Sequence, residues 1–231
     1  NEHSLLQISL GESIKTVGLL LPTQIATLSL RFLLCHTRYN LMGNQQALIR
    51  YLEEKVIPIF QSGVSVKESE FQHLTYTRCG TISISSISLI KPFLSSYKGL
   101  FARGFEEKDI PLVNNEPINQ KFPKLFVRCI NDSNKLQINA IDDETLKRLI
   151  DELKIDTVIA EKLKQLFDNY TMSAEQAQNK IIELCPQMEE IFEYWETTPI
   201  KNLNLSSVGI VIGALFAASK TNEKFDLNIW I

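Results

Sequence analysis

Val208 to Ala218 is an unbroken run of eleven apolar residues, set between Ser206-Ser207 and Ser219-Lys220. Such a run has to be covered on all sides by other parts of a protein, or else by lipid. A membrane span needs roughly 18 apolar residues or more, and this run is too short. Gly209, Gly213 and Ala217 recur at every fourth position, which puts three small residues in one row of a helix and lets a second backbone approach closely. In a membrane the same row would be a dimerisation motif. Here it predicts a buried helix, N-capped by Ser206 or Ser207, at the axis of a folded unit. After it, Phe225, Leu227, Ile229 and Ile231 alternate with Asp226, Asn228 and Trp230, the pattern of a terminal strand with one covered face.

The rest of the chain has to supply the cover, and at 231 residues, 44% hydrophobic and 22% charged, it has the means. Residues 4–20 carry a broken apolar stripe (Leu5, Leu6, Ile8, Ile14, Val17, Leu20) that predicts a helix weakened by Gly11 and Gly18. Thr23 is the expected N-cap of a core helix over 24–39, and Gly43-Asn44 turns the chain into another over 45–60. Over 69–89 the periodicity is mixed. Thr81 to Leu89 alternates like a strand, but Ser and Thr capping a helix that runs to about Tyr97 is the preferred reading. Residues 106–120, with Pro111, Pro117 and the pair Asn114-Asn115, read as a linker.

Beyond that linker, 124–130 and 135–141 are alternating runs around the turn tetrapeptide Asn131-Asp-Ser-Asn134, a β-hairpin pattern. Asp142 caps a predicted helix to about Leu153, with Ile141 and Leu146 placed as a hydrophobic staple. A second helix covers 156–170, and Ser173-Ala-Glu-Gln176 is a capping box opening a third, which Pro186 interrupts. The expectation is a mainly α, α+β protein in two parts. Residues 1–120 form a helical domain. Residues 121–231 form a smaller α+β domain whose three-stranded antiparallel sheet joins the hairpin to the C-terminal strand.

The formal net charge is −3, with 11 Lys and Arg against 10 Asp and Glu in residues 1–120 and 13 against 17 in 121–231. No global field attracts phosphates, and six Glu against one Lys between Glu175 and Glu196 would repel a nucleic-acid backbone. Cys35, Cys79, Cys129 and Cys185 are far apart and in apolar settings, without metal-ligand spacing, as expected of free thiols in a cytoplasmic protein. No signal peptide opens the chain. It begins on Asn1 rather than Met, which leads to the expectation of a missing N-terminal segment.

Candidate reactive groups are scattered. The serines Ser83, Ser85 and Ser86 with His73 lack a nucleophile elbow and an ordered acid. His3 stands alone, and His36 falls near the end of a core helix as a structural residue. Glu53-Glu54 is a solvated helix face, and Asp142-Asp143-Glu144 sits where a helix N-terminus favours acids. Arg31, Arg38 and Arg50 on two helices would suit an anion if they converged. No residue is assigned a catalytic, cofactor-binding or metal-ligating role.

Four stretches carry a family resemblance: Leu52-Glu-Glu-Lys-Val-Ile-Pro58, residues 72–89, Gly99-Leu-Phe-Ala-Arg-Gly-Phe105, and residues 205–213 with Asp226-Leu-Asn-Ile-Trp-Ile231. Together they resemble a family of uncharacterised bacterial proteins with a composite locus-tag name from Legionella and Veillonella, the LPO/Vpar family. The resemblance implies an intracellular bacterial protein with a further N-terminal helical segment and, by analogy, a place in a stress or phage-defence assembly. It implies no catalytic residues. The expected function is a non-enzymatic interaction or oligomerisation module with a protein partner or a second copy. The competing expectations are nucleic-acid binding through a degenerate winged helix in the C-terminal half, and a hydrolase or nucleotide-binding enzyme with an unrecognised site.

Overall fold

The structure, a computed structural model, describes residues 4–113 and 116–231. The chain runs through α1 (Leu5–Val17), α2 (Pro22–His36) and α3 (Gln45–Tyr51), which passes by a π-helical turn (Leu52–Val56) into α4 (Ile57–Gln61). Next come α5 (Glu68–Tyr76), β1 (Gly80–Ile82), α6 (Ile90–Ser96), β2 (Leu112–Val113), β3 (Glu116–Pro117) and α7 (Ile118–Lys121). The hairpin β4 (Phe126–Arg128) and β5 (Leu136–Ile138) precedes α8 (Asp143–Glu152), α9 (Thr157–Asn169) and α10 (Ala174–Leu184). The chain ends in α11 (Met188–Thr197), β6 (Leu203–Leu205) and α12 (Ser207–Thr221). The fold is mainly α with minor β, as expected.

The division expected at residue 120 is not the one the contacts draw. One unit gathers Asn1–Tyr39, Ile49–Leu89 and Cys185–Ile231, and the other gathers Asn40–Leu48 and Ile90–Leu184. The stretch 106–120 is no linker, because Ile110 and Ile118 are buried in the second unit's core and β2 pairs antiparallel with β3. Of the Asn pair expected there, Asn114 and Asn115 lie outside the described residues.

In the first unit α12 crosses α2, and the small-residue row makes the crossing. A Cβ on Gly213 would stand 2.7 Å from the Leu28 carbonyl oxygen, and one on Gly209 would overlap the Cys79 carbonyl. Ala217 is fully buried. Ser206 caps α12, its hydroxyl accepting from Gly209 N–H at 3.2 Å and donating to the Arg78 carbonyl at 2.6 Å. Its position is set by β6, which pairs antiparallel with β1 in the register Gly80↔Leu205 and Ile82↔Leu203. This short ladder delivers the N-terminus of α12 to its seat beside Cys79, where Ser206 N–H donates to the Cys79 carbonyl at 3.0 Å.

Several boundaries depart from the sequence expectation for local reasons. α2 begins at Pro22, which suits the first turn of a helix, and the cap is Leu21, whose N–H donates to the Gln24 side chain at 2.9 Å. The helix expected over 45–60 is interrupted by the π turn, in which Ile57 N–H reaches back to the Leu52 carbonyl. Pro58 follows at once, and a widened turn relieves the clash and the missing donor a proline brings to a helix interior. α5 stops at Tyr76, and residues 83–89 form neither strand nor helix.

The C-terminal strand does not form. Leu227–Ile229 is a single 3-10 turn. Phe225 and Trp230 pack edge-on against Phe32 of α2, with centroids at 5.1 and 5.0 Å, and the Trp230 indole N–H donates to the His36 carbonyl at 2.8 Å. The hairpin of the second unit is already paired on its far edge. Phe105 exchanges hydrogen bonds with Leu136 of β5 at 2.8 and 2.9 Å, so no third strand is needed there.

The hairpin does form as the sequence predicts, with Phe126↔Ile138 and Arg128↔Leu136 opposed. Asp142 and Ser173 each cap the helix expected of them, and Asp156, expected as the first residue of its helix, is instead its cap; they accept from Thr145, Gln176 and Ile159 N–H respectively. α8 and α9 cover the hairpin through Leu146, Ile159, Leu163 and Phe167, completing a core that includes Phe105 and Leu125.

Candidate functional site

The serines and histidine weighed as a reactive set do not come together. Ser83 and Ser85 bond one another, Oγ to Oγ at 2.8 Å, in an exposed loop, and Ser86 is exposed. His73 Nδ1 lies 3.1 and 3.2 Å from the two polar atoms of the Gln24 amide, and its ring stacks on Tyr76. The loop is held by Ile87 instead, whose carbonyl accepts from the Trp195 indole at 2.7 Å and whose N–H donates to the Lys201 carbonyl. Its Ser-rich composition therefore serves an exposed turn.

The carboxylates have structural partners as well. Glu53 and Glu54 are exposed on the π turn. Asp142 is buried as a helix cap, and Asp143 pairs with Lys98 and Lys164 at 3.2 Å each. Lys164 and Lys98 also hold Asp168, whose pKa is lowered although partial burial acts the other way. Among the described residues no three or more His, Cys, Asp or Glu are grouped to hold a metal. His3 lies outside the described residues. All six glutamates between Glu175 and Glu196 are exposed.

The three arginines are separated by burial. Arg38 and Arg50 are exposed, whereas Arg31 is 2% exposed in the interior of α2. Its guanidinium carbon stands 5.2 Å from the centroid of the Trp195 ring. A desolvated cation over an indole face gains about 2 kcal/mol, less than the several kcal/mol of burying a charge without a counter-ion. Burial lowers the Arg31 pKa, yet a guanidinium stays protonated at neutral pH. One turn further on, the Cys35 thiol is pushed up to about 11 by burial, partly opposed by Arg31. All four cysteines are free thiols, and Cys35 alone is not fully buried.

A different surface feature escapes the sequence reading. α1 buries Ser9 and Ser13 rather than its leucines. The Ser13 hydroxyl donates to the Ser9 carbonyl at 2.6 Å and lies 3.4 Å from the Val208 carbonyl of α12. Leu5 and Ile8 are exposed on one flank of that serine stripe and Ile14 and Val17 on the other, Ile14 at 75%. Leu19 and Leu21 extend the exposed apolar run past the helix end. Of the stripe read from the sequence, Leu5, Ile8, Ile14 and Val17 stay in water, Leu6 is half-buried and Leu20 is buried.

These features define a mainly α protein whose described residues bring together no reactive set and expose one apolar helix. A family model whose description reads ":-like" matches residues 1–231, and the chain belongs to that family. The match is consistent with the Vpar-type family that the sequence resembles. No curated protein and no solved structure matches the chain. No helix among the described residues is long and apolar enough to cross a membrane.

Proposed function

We propose that the protein is a non-enzymatic interaction or oligomerisation module of the bacterial cytoplasm, and that α1 is its contact element. The observation that carries this reading is the inverted burial of α1, with Ser9 and Ser13 inward and Leu5, Ile8, Ile14 and Val17 outward. Covering a Leu or Ile side chain gains about 1.5–3 kcal/mol, so a partner that buries several of them gains enough for specific association. The nucleic-acid alternative loses support from the exposed glutamates and from the lack of the terminal strand on which a winged-helix reading relied. The hydrolase alternative loses support from His73, which bonds Gln24 and not a serine.

Light scattering across a concentration series, on the wild type and on an Ile8→Glu/Ile14→Glu double variant, tests the proposal. A wild type that forms a defined oligomer, or a defined complex with a co-purifying protein, which the double variant loses while keeping its helical circular dichroism, is the expected result. If both proteins remain monomeric and retain the same companions, α1 is not a contact element.

A further inference from the structure

Arg31 presents a second feature, independent of α1. Its Nε and Nη1 are buried from solvent and have no hydrogen-bond acceptor among the described residues. The Trp195 ring faces the guanidinium, but the N–H bonds lie in the guanidinium plane, so stacking leaves them unmet. The titratable side chain that bears on Arg31 is Cys35, a neutral thiol at physiological pH because burial holds its proton on. His36, on the same helix, is pushed down by burial and then by Arg31, which favours its neutral form too. A permanent cation therefore sits in the first unit's core with donors that meet no acceptor among the described residues and with no anionic group among them to balance it.

We propose that Arg31 and Trp195 form a binding site for a small oxyanion, whose oxygens accept from the Arg31 Nε and Nη1 while the indole covers the guanidinium face. Planar or tetrahedral oxyanions suit a guanidinium because each can take more than one N–H, and charge assistance strengthens every such bond. A halide offers no divergent oxygens and matches the donor pair less well.

The chain has two tryptophans, so Trp230→Phe leaves Trp195 as the sole reporter. Its emission is titrated with sodium acetate and, separately, with sodium phosphate, against sodium chloride at equal ionic strength. A saturable change with acetate or phosphate that chloride does not reproduce, and that Arg31→Met abolishes, is expected; whichever salt responds names the anion class. No saturable change with either salt means that water meets the donors and overturns the proposal, as does an unchanged response in Arg31→Met. Should Arg31→Met fail to fold, the Arg31 Nε–H resonance of the wild type decides, its shift on adding the same salts supporting the site and its constancy overturning it.

Discussion

α1 and α12 pack against one another in the first unit and spend their side chains in opposite ways. α12 turns Ile210, Val211, Ile212, Ala214 and Ala217 into the core and leaves Leu215 as its one large exposed apolar residue. α1 turns two serines in, leaves Leu5, Ile8, Ile14 and Val17 in water and half-buries Leu6 and Leu10. What the two helices share is a small residue wherever another backbone comes close: glycine in α12 against Leu28 and Cys79, serine in α1 against Val208. A serine can take such a position because its hydroxyl bonds its own helix at the i−4 carbonyl, leaving no unmet donor behind. Side-chain volume thus decides which face of α1 is buried, and hydrophobicity decides it in α12.

Four substitutions probe that contrast. Gly213→Leu places a large side chain against the Leu28 carbonyl and the Phe32 Cβ, and we expect a loss of about 3 kcal/mol in urea unfolding. A midpoint equal to the wild type would mean that the crossing of α2 and α12 is loose, and the contrast would collapse. Ser13→Leu makes the corresponding change on α1, with an expected loss of about 2 kcal/mol by the same measurement; stabilisation would show that hydrophobicity governs α1 after all. Ser206→Ala removes the cap that starts α12 and should lower stability by about 1 kcal/mol in thermal unfolding. Ile14→Glu should change stability by no more than about 0.5 kcal/mol, because the side chain it replaces is already in water. A larger loss from Ile14→Glu would place that flank in the folded core.

The sequence made local chemistry legible and distant partners opaque. Asp142 and Ser173 cap helices where their spacing predicts, Ser206 is the one of the two candidate serines that caps α12, and Asp156, read as a first helical residue, is a cap too, since a cap and its N–H target lie three residues apart. The hairpin was readable for the same reason, its turn and both strands being contiguous. The terminal strand failed because alternation over 225–231 also suits a tail that lays Phe225 and Trp230 on Phe32, a residue far back along the chain. The three-residue β1 found its partner in β6, too short and too remote for any periodicity to reveal. Of the candidate site, the apolar residues of α1 were visible, but their exposure depends on what α12 presents to them. The isolation of Arg31 depends likewise on Trp195, which periodicity within α2 does not register.

The π turn at Leu52–Val56 has a consequence for how the chain tolerates changes in length. Each residue advances an α-helix by about 100°, so one extra residue in a turn rotates everything after it by that angle. Here the rotation lets Leu48, Tyr51 and Leu52 before the turn, and Val56, Ile57 and Ile59 after it, all reach the interior. It also carries Lys55 to the last turn of α12, where its ammonium donates to the Thr221 carbonyl at 2.7 Å and pairs with Glu223 at 3.3 Å, a cation at the negative end of a helix dipole. Deleting one residue from the solvent-facing pair Glu53-Glu54 would restore a regular helix and leave Val56, Ile59 and Lys55 on their present faces, whereas a regular helix that kept every residue would turn them by about 100°. An exposed, charged stretch of helix is therefore the place where this chain holds one residue more than a regular helix needs, and where losing that residue keeps the buried faces aligned.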